Sequence, residues 1–349
     1  MRFESGRLWA LDQTALPWRE HELELGSAED VAGAIRRLAI RGAPLIGVAA
    51  GYGVALDLER EARTREVGKI AARGMLQPDL REALNRACEL LRAARPTAVN
   101  PSRAIDRVRA AALGAVTGDE AAVALSEAQA IHAEEEAASG ALGRAGAELF
   151  TGCRRILTHC NTGALAAPGT GTALAVVTEL AARGELDGVI ATESRPLLQG
   201  SRLTVYELAK LGIPHELVVD AAAPGLIAAG AVDAVIVGCD RVAANGDVAN
   251  KVGTYGLALA ARAAGIPFVV AGPTSTIDAA CSSAAQIEIE ERDPEEVRSA
   301  RGRALTLPGT RCRNPAFDLT PAALVSALAT ERGVAQPVNA ATIRGLLPA

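Results

Sequence analysis

Aromatic residues make up only 3% of this 349-residue chain, and lysine is almost missing: of 36 basic residues only Lys69, Lys210 and Lys251 are lysine. The shortage of rings removes the stacking platform that single-stranded nucleic acids need. No dense basic stretch appears and the net charge is −5, so a phosphate-backbone partner lacks its electrostatic footprint. The six cysteines, Cys88, Cys153, Cys160, Cys239, Cys281 and Cys312, contain no CxxC pair, which argues against zinc. No secretory leader precedes them, so the expected compartment is a reducing cytoplasm. No apolar run reaches the roughly 18 residues of a membrane span. The longest, Ala43 to Leu56, contains a proline, three glycines and a tyrosine and reads as a buried helix.

What is present fits a soluble α/β protein: 49% hydrophobic and 22% charged residues, 34 glycines, and length for about two domains of roughly 150 residues. The first half is mainly helical. After a short alternation at Arg2 to Leu11, Ser27-Ala-Glu-Asp30 reads as an N-cap with acidic residues in the first turn, opening a helix expected to reach Ile40. Arg41-Gly-Ala-Pro44 breaks it, and helical patterns return at 43–56, 78–94, 101–114 and 119–149, with Arg63 to Gly74 the most loop-like segment. From Arg154 the pattern becomes strand, turn, helix, with strands expected at Ile156–His159, Val189–Thr192, Leu217–Val219, Ala234–Val237, Phe268–Ala271 and Ile287–Ile289. That alternation argues for a parallel sheet covered on both faces. The expected architecture is α/β: a mainly helical N-terminal domain (1–118), a connecting helix (119–150) and a Rossmann-like parallel-sheet domain (151–349).

In such sheets ligands bind beyond the carboxyl ends of the strands, where loops converge and helix N-termini point inward. That rule selects Cys160-Asn-Thr-Gly163, Glu193 to Gly200, Asp220 and Cys239-Asp-Arg241. A thiol and carboxylates on one edge suit proton transfer. Gly169-Thr-Gly171 lacks the third glycine and the preceding strand of a dinucleotide fingerprint, and no GxxxxGK[ST] loop exists, so no nucleotide cofactor is expected. Arg41-Gly42-Ala43, Arg95 and Asn250-Lys251, the last pair read as opening a helix, can together hold one phosphate. Plainer readings stand beside these. Cys88, Cys153, Cys281 and Cys312 read as small core hydrophobes; Asp220 and Asp240 each read equally as helix caps. Glu193 and Arg241 read as an ion pair, His159 as a partner of a backbone group, and His132 with Glu134 to Glu136 as a solvated helix face.

Seven segments together carry a resemblance: Arg41-Gly-Ala-Pro44, Arg95-Pro-Thr-Ala-Val-Asn100, Thr158-His-Cys-Asn-Thr-Gly163, Glu193-Ser-Arg-Pro-Leu-Leu-Gln-Gly200, Gly238-Cys-Asp-Arg-Val-Ala-Ala-Asn-Gly-Asp247, Asn250-Lys-Val-Gly-Thr254 and Asn314-Pro-Ala-Phe-Asp318. From Arg2 to about Gly333 the chain resembles the methylthioribose-1-phosphate isomerases. Their superfamily also holds ribose-1,5-bisphosphate and 5-deoxyribose-1-phosphate isomerases and non-catalytic initiation-factor subunits. The resemblance implies Cys160 and Asp240 as catalytic pair, with substrate contacts from Arg41, Gly42, Ala43, Arg95, Gln199, Asn250 and Lys251. It further implies no cofactor or metal, a homodimer, and a place in methionine salvage.

The implied chemistry is coherent. A 1-phosphorylated aldose cannot open its ring by losing a hydroxyl proton, so an acid must protonate the ring oxygen. Asp240 suits that role if an apolar crevice keeps it protonated. Cys160 takes the C2 proton or supports a hydride shift from C2 to C1, and a helix starting after Gly163 would favour the thiolate. The chain departs from the family at Cys239, where alanine is usual, at Pro101-Ser-Arg103, where apolar and aromatic residues are usual, and in a longer segment at Arg63 to Gly74. Cys239 reads as inert filler. Arg103 either lies on the flank of a helix whose apolar stripe is Ala104, Val108 and Ala111, or faces the sugar's 5-substituent and selects a polar one.

Overall fold

The computed structural model describes residues 1–71, 80–95, 99–300 and 302–347. It divides into two compact units, Met1–Glu136 and Ala137–Ala349. The first opens with an antiparallel meander of β1 (Arg2–Glu4), β2 (Arg7–Leu11) and β3 (Glu22–Leu25). Alternation along β2 buries Leu8 and Ala10 against the helices that follow. Helix α1 (Ala28–Arg36) starts as expected, with Ser27 Oγ accepting the Asp30 N–H at 3.1 Å. It stops before Ile40, however. Leu38 takes a left-handed φ of +61°, and the N–H groups of Ala39 and Ile40 fold back onto the Ala34 carbonyl, burying both side chains beneath the helix end.

Helix α2 (Ala43–Ala71) is apolar on every side through Leu56, and its first four turns are buried, as the unbroken hydrophobic run requires. It continues through Ala71, which corrects the loop expected from Arg63; residues 72–74 of that segment lie outside the described ones. Arg63 ion-pairs with Glu59 one turn back, as positions i and i+4 of one helix. Helices α3 (Leu80–Ala94) and α4 (Val99–Gly114) add to this core, α4 contributing Ala104, Ile105, Val108 and Ala112. Each fully buried Ile or Val there stabilises by about 1.5–3 kcal/mol. Residues 78, 79 and 96–98, part of the helix and motif read from the sequence, lie outside the described residues. Helix α5 (Glu120–Ala147) spans the division between the units.

The second unit is built on a seven-stranded sheet. Its chain order is β4 (Arg155–Thr158), α6 (Ala173–Ala182), β5 (Gly188–Thr192), α7 (Val205–Lys210), β6 (His215–Val218), α8 (Ala223–Ala228), β7 (Ala234–Val237), the hairpin β8 (Arg241–Ala243) and β9 (Val248–Lys251), α9 (Thr254–Ala264) and β10 (Phe268–Ala271). After β11 (Ile277–Asp278), α10 (Glu295–Arg298) and the hairpin β12 (Ser299–Ala300) and β13 (Arg303–Ala304) come β14 (Phe317–Thr320), β15 (Ala327–Thr330), β16 (Gly333–Ala335) and α11 (Ala340–Leu346). The sheet order is β16-β15-β10-β7-β4-β5-β6, parallel except for β16. The chain enters at β4, winds outward through β5 and β6, then crosses to β7, so the order reverses between β4 and β7. That switch point opens a crevice beyond the two strands' carboxyl ends. A small sheet, β11-β8-β9-β14, carries the chain after β7.

One strand expectation is wrong. Ile287–Ile289 forms no strand; the alternation with glutamate gives half-buried isoleucines, and nearby pairing is limited to an isolated bridge between Glu291 and Pro315. Its place beside β10 belongs to β15, whose sequence Ala-Leu-Ala-Thr has little β-branched signal yet is fully buried.

Candidate active site

Strand β4 hands the chain to His159 and Cys160 at the edge of the crevice. Cys160 has φ +64°, a conformation costing a non-glycine residue about 1–2 kcal/mol. Side chains from the neighbouring segment hold it there. Its N–H donates to Ser194 Oγ at 2.8 Å, and its carbonyl accepts from Thr204 Oγ1 at 2.6 Å. The next residues are fixed by Glu207 of α7, which accepts from Asn161 Nδ2 at 2.6 Å and from the Leu165 N–H at 3.4 Å. A Cβ at position 163 would come within 2.3 Å of that carboxylate, so the motif needs Gly163. The segment after Gly163 makes a single turn and α6 begins only at Ala173, which corrects the expected helix start behind the thiol.

His159 is buried and serves the scaffold. Its Nε2 donates to the Val252 carbonyl at 2.9 Å, which fixes the proton on that nitrogen, so Nδ1 accepts from Thr192 Oγ1 at 2.5 Å. Burial pulls its pKa below the ordinary histidine value, against the hydrogen bond to Val252 and the Asp220 carboxylate, and the ring is neutral.

Beyond β5, the Glu193 to Gly200 segment contains two further left-handed residues, Ser194 (φ +64°) and Leu198 (φ +58°). Asp220, standing after β6, accepts the N–H groups of Ser194 and Arg195, each at 2.7 Å. Gln199 follows and is buried at the head of a wide turn, Gly200–Thr204; a Cβ on Gly200 would lie 1.7 Å from the Thr192 carbonyl, so only glycine lets this turn seat on the end of β5. Among the described residues, Gln199 Oε1 and Thr162 Oγ1 are buried without a hydrogen-bond partner. An unsatisfied buried oxygen costs about 1–3 kcal/mol.

On the other side of the switch point, β7 ends at Val237 and Gly238-Cys239-Asp240 follows. The Asp240 N–H donates to the Ala249 carbonyl at 3.0 Å, locking this segment onto β9. Asn250 and Lys251 are the last residues of β9, not the start of a helix as the sequence suggested; α9 begins at Thr254, whose Oγ1 accepts from Asn250 Nδ2 at 2.9 Å. The missed signal is Asn245-Gly246, a hairpin turn with Gly246 at φ +92°. Lys251 is 4% exposed, and burial pulls its ammonium below the usual lysine range while the Cys160 thiol and the Asp240 carboxylate act to raise it. The thiol, the carboxylate and the lysine, drawn from β4, β7 and β9, therefore share one electrostatic locus. Cys239 is a different kind of cysteine. Its Sγ lies 3.3 Å from Thr276 Oγ1 and against Gly272, and burial pushes the thiol up to about 12, so at neutral pH it is not a nucleophile. Arg241 pairs with Asp278 at 3.7 Å.

Four residues of the set belong to the first unit. Arg41 is buried, with Nε donating to Gln13 Oε1 at 3.0 Å, and it immediately precedes Gly42 (φ +92°) and Ala43, which opens α2. No acidic residue stands in the first turn of α2, leaving the helix dipole available to an anion. Arg95 follows the end of α3 and is half-buried. Arg103 is exposed on α4, and the buried stripe beside it is Ala104, Ile105, Val108 and Ala112 rather than one through Ala111. His132 is not a solvated residue as expected: its side chain is 14% exposed and Nδ1 meets the Tyr52 hydroxyl at 3.1 Å. Among the described residues no cluster of histidine, cysteine or carboxylate suits a metal ion, and no helix is long and apolar enough to cross a membrane.

Residues 39–337 match the initiation factor 2 subunit family. The chain belongs to that family. Among curated relatives, methylthioribose-1-phosphate isomerase of Anaeromyxobacter sp. (strain K) is 48% identical over 97% of this chain and 94% of its own length. A 5-deoxyribose 1-phosphate isomerase of Moorella thermoacetica is 45% identical, covering 96% of this chain and 93% of that one. The crystal structure of 5-methylthioribose 1-phosphate isomerase from Pyrococcus horikoshii OT3 superposes with a TM-score of 0.87 at 36% identity, covering 99% of this chain and 94% of that one. The resemblance carried by the seven motifs is thereby shown, and with it the fold class and the enzyme class, an isomerase.

Proposed function

We propose that the chain converts 5-methylthioribose 1-phosphate to 5-methylthioribulose 1-phosphate in methionine salvage, with Cys160 and Asp240 as the catalytic pair. The observation that carries this reading is the meeting of Cys160, Asp240 and buried Lys251 at the topological switch point. A charge-assisted contact from Lys251 holds the phosphate, joined by Asn250, Arg41, Arg95 and the backbone at Gly42 and Ala43. Gln199, with its unpartnered Oε1, takes a sugar hydroxyl.

Asp240 delivers its proton to the ring oxygen as the bond from C1 to that oxygen breaks, leaving the phosphate on C1. Hydrogen then passes from C2 to C1. Either the Cys160 thiolate removes the C2 proton, giving an enol that is reprotonated at C1, or the hydrogen moves as hydride while the 2-hydroxyl loses its proton. Both routes conserve atoms and charge, and turnover in D2O separates them, since only the first places solvent deuterium at C1. No cofactor takes part in either route.

The reading includes a homodimer and a reducing cytoplasm that keeps Cys160 as a thiol. Exposed Arg103 supports an apolar 5-substituent, because an uncompensated guanidinium in a methylthio pocket would cost several kcal/mol. A second reading, 5-deoxyribose 1-phosphate as substrate, is favoured by the Moorella relative. A non-catalytic sensor would have no need of the thiol and carboxylate at the switch point. A coupled ketose assay on the 1-phosphates of 5-methylthioribose, 5-deoxyribose and ribose 5-phosphate tests the proposal. The methylthio sugar should give the highest kcat/KM; turnover of none of the three would overturn it.

A further inference from the structure

We infer that Ser194 and Asp220 are positioning residues that fix the backbone of Cys160 in the left-handed conformation from which its thiol acts. The inference rests on the catalytic assignment of Cys160. Cysteine has no intrinsic preference for φ +64°. What holds it comes from the next strand. Ser194 is fully buried, and its Oγ accepts the Cys160 N–H at 2.8 Å. The same hydroxyl lies 3.3 Å from the Thr192 carbonyl and 3.4 Å from Thr192 Oγ1, so its proton is directed toward Thr192 and its lone pair toward Cys160.

Ser194 is itself left-handed, at φ +64°, and Asp220 in turn holds it. Both carboxylate oxygens are engaged, Oδ1 by the Ser194 N–H and Oδ2 by the Arg195 N–H, each at 2.7 Å. Asp220 Oδ1 also stands 4.0 Å from His159 Nδ1, which places the carboxylate beside the residue before Cys160 as well. A line of support thus runs from β6 through the β5 loop to the residue after β4. Removing the Ser194 hydroxyl strips the Cys160 N–H of its acceptor and frees the backbone to return to negative φ, which carries Cβ and Sγ away from their place. A displacement of about 1 Å at a reacting atom reduces rate by about 100-fold. Substrate binding, which depends on other residues, should hardly change.

The test is Ser194→Gly, because glycine adopts positive φ freely and the variant loses the hydroxymethyl group without straining position 194. Expected are a kcat about 100-fold lower with KM within about threefold of wild type and a melting temperature within a few degrees. Iodoacetamide labelling of Cys160, read by peptide mass spectrometry against Cys312 in the same chain, should change rate several-fold. Unchanged kcat and unchanged labelling would overturn the inference, as would a loss confined to KM. If the glycine variant does not fold, Asp220→Asn carries the test, since an amide offers one acceptor where two N–H groups need two; the same split of kcat from KM is expected. Activity in Cys160→Ser would instead refute the catalytic assignment, and the labelling comparison still decides whether Ser194 and Asp220 position that loop.

Discussion

Replacing Lys251 by methionine should make this protein more stable and worse at binding its substrate. The side chain is 4% exposed at the end of β9, and burial depresses its pKa. A lysine whose folded pKa lies below its unfolded value opposes folding wherever it is charged. The penalty is absent above the unfolded pKa, near 10.4, and develops as pH falls from there through the folded pKa. At pH 7.5 the wild type carries that penalty, and methionine, which matches the stem without the charge, does not. A gain of about 1 kcal/mol would raise Tm by about 2–4 °C for a unit the size of Ala137–Ala349. The gain should shrink as pH is raised toward 10.

Binding should move the other way. A charge-assisted hydrogen bond to phosphate contributes about 1.5–3 kcal/mol, so losing it weakens productive binding about 10- to 150-fold. Thermal melts from pH 7 to 10 and inhibition by inorganic phosphate measure the two effects independently. If the variant melts lower at pH 7.5, the ammonium is a structural ion-pair partner; if phosphate inhibits it as well as wild type, the anion binds elsewhere. Either result refutes the assignment.

Asp240→Asn should abolish turnover while largely preserving substrate affinity, and a variant with half the wild-type rate would remove Asp240 as the acid. Cys160→Ser should lose activity and wild-type Cys160 should be protected from alkylation by substrate, whereas Cys239→Ser should stay within a few-fold, given a thiol held near 12 against Thr276. Arg103→Leu should leave kcat/KM for the methylthio sugar within a few-fold of wild type; a gain of about a hundredfold would place the guanidinium at the 5-group. Acid should destabilise the fold through His159: its pKa is lowered, so below the unfolded value of about 6.5 the unfolded chain binds a proton the folded one refuses. Melts of His159→Asn against wild type should show the gap in Tm narrowing from pH 7.5 to 5.5, and a constant gap would mean that His159 does not titrate across unfolding.

The sheet was legible where burial on both faces forces β-branched runs. Ala234–Val237 and Phe268–Ala271 match the expected strands residue for residue. β15 was hidden because a strand between two neighbours can be filled by Ala-Leu-Ala-Thr, where packing sets the preference and intrinsic propensity is silent. Lysine scarcity drew attention to Lys251, while its setting was misread: the pattern after Gly246 suggested a helix, and the hairpin signal Asn245-Gly246 was the stronger cue. Asp220 was open between a cap and a functional carboxylate, and no local pattern can reveal that its partners are the N–H groups of residues 194 and 195.

The backbone shows why the candidate site exceeds what local rules can read. Among the described residues five non-glycine residues have positive φ, and three of them, Cys160, Ser194 and Leu198, stand on the loops after β4 and β5. Cysteine, serine and leucine are poor occupants of that region, so each is a place where local preference points one way and the fold imposes another. Strain of this kind persists only when surrounding contacts over-determine it. Around Cys160 they do, through Ser194 Oγ, Thr204 Oγ1 and the Glu207 carboxylate that fixes Asn161 and Leu165. A chain needing only a stable turn after β4 would place glycine or asparagine at position 160, at no conformational cost. Retaining a thiol there, against the local preference and with side chains from β5, its loop and α7 committed to holding it, is what a site built around the position of one sulfur atom requires.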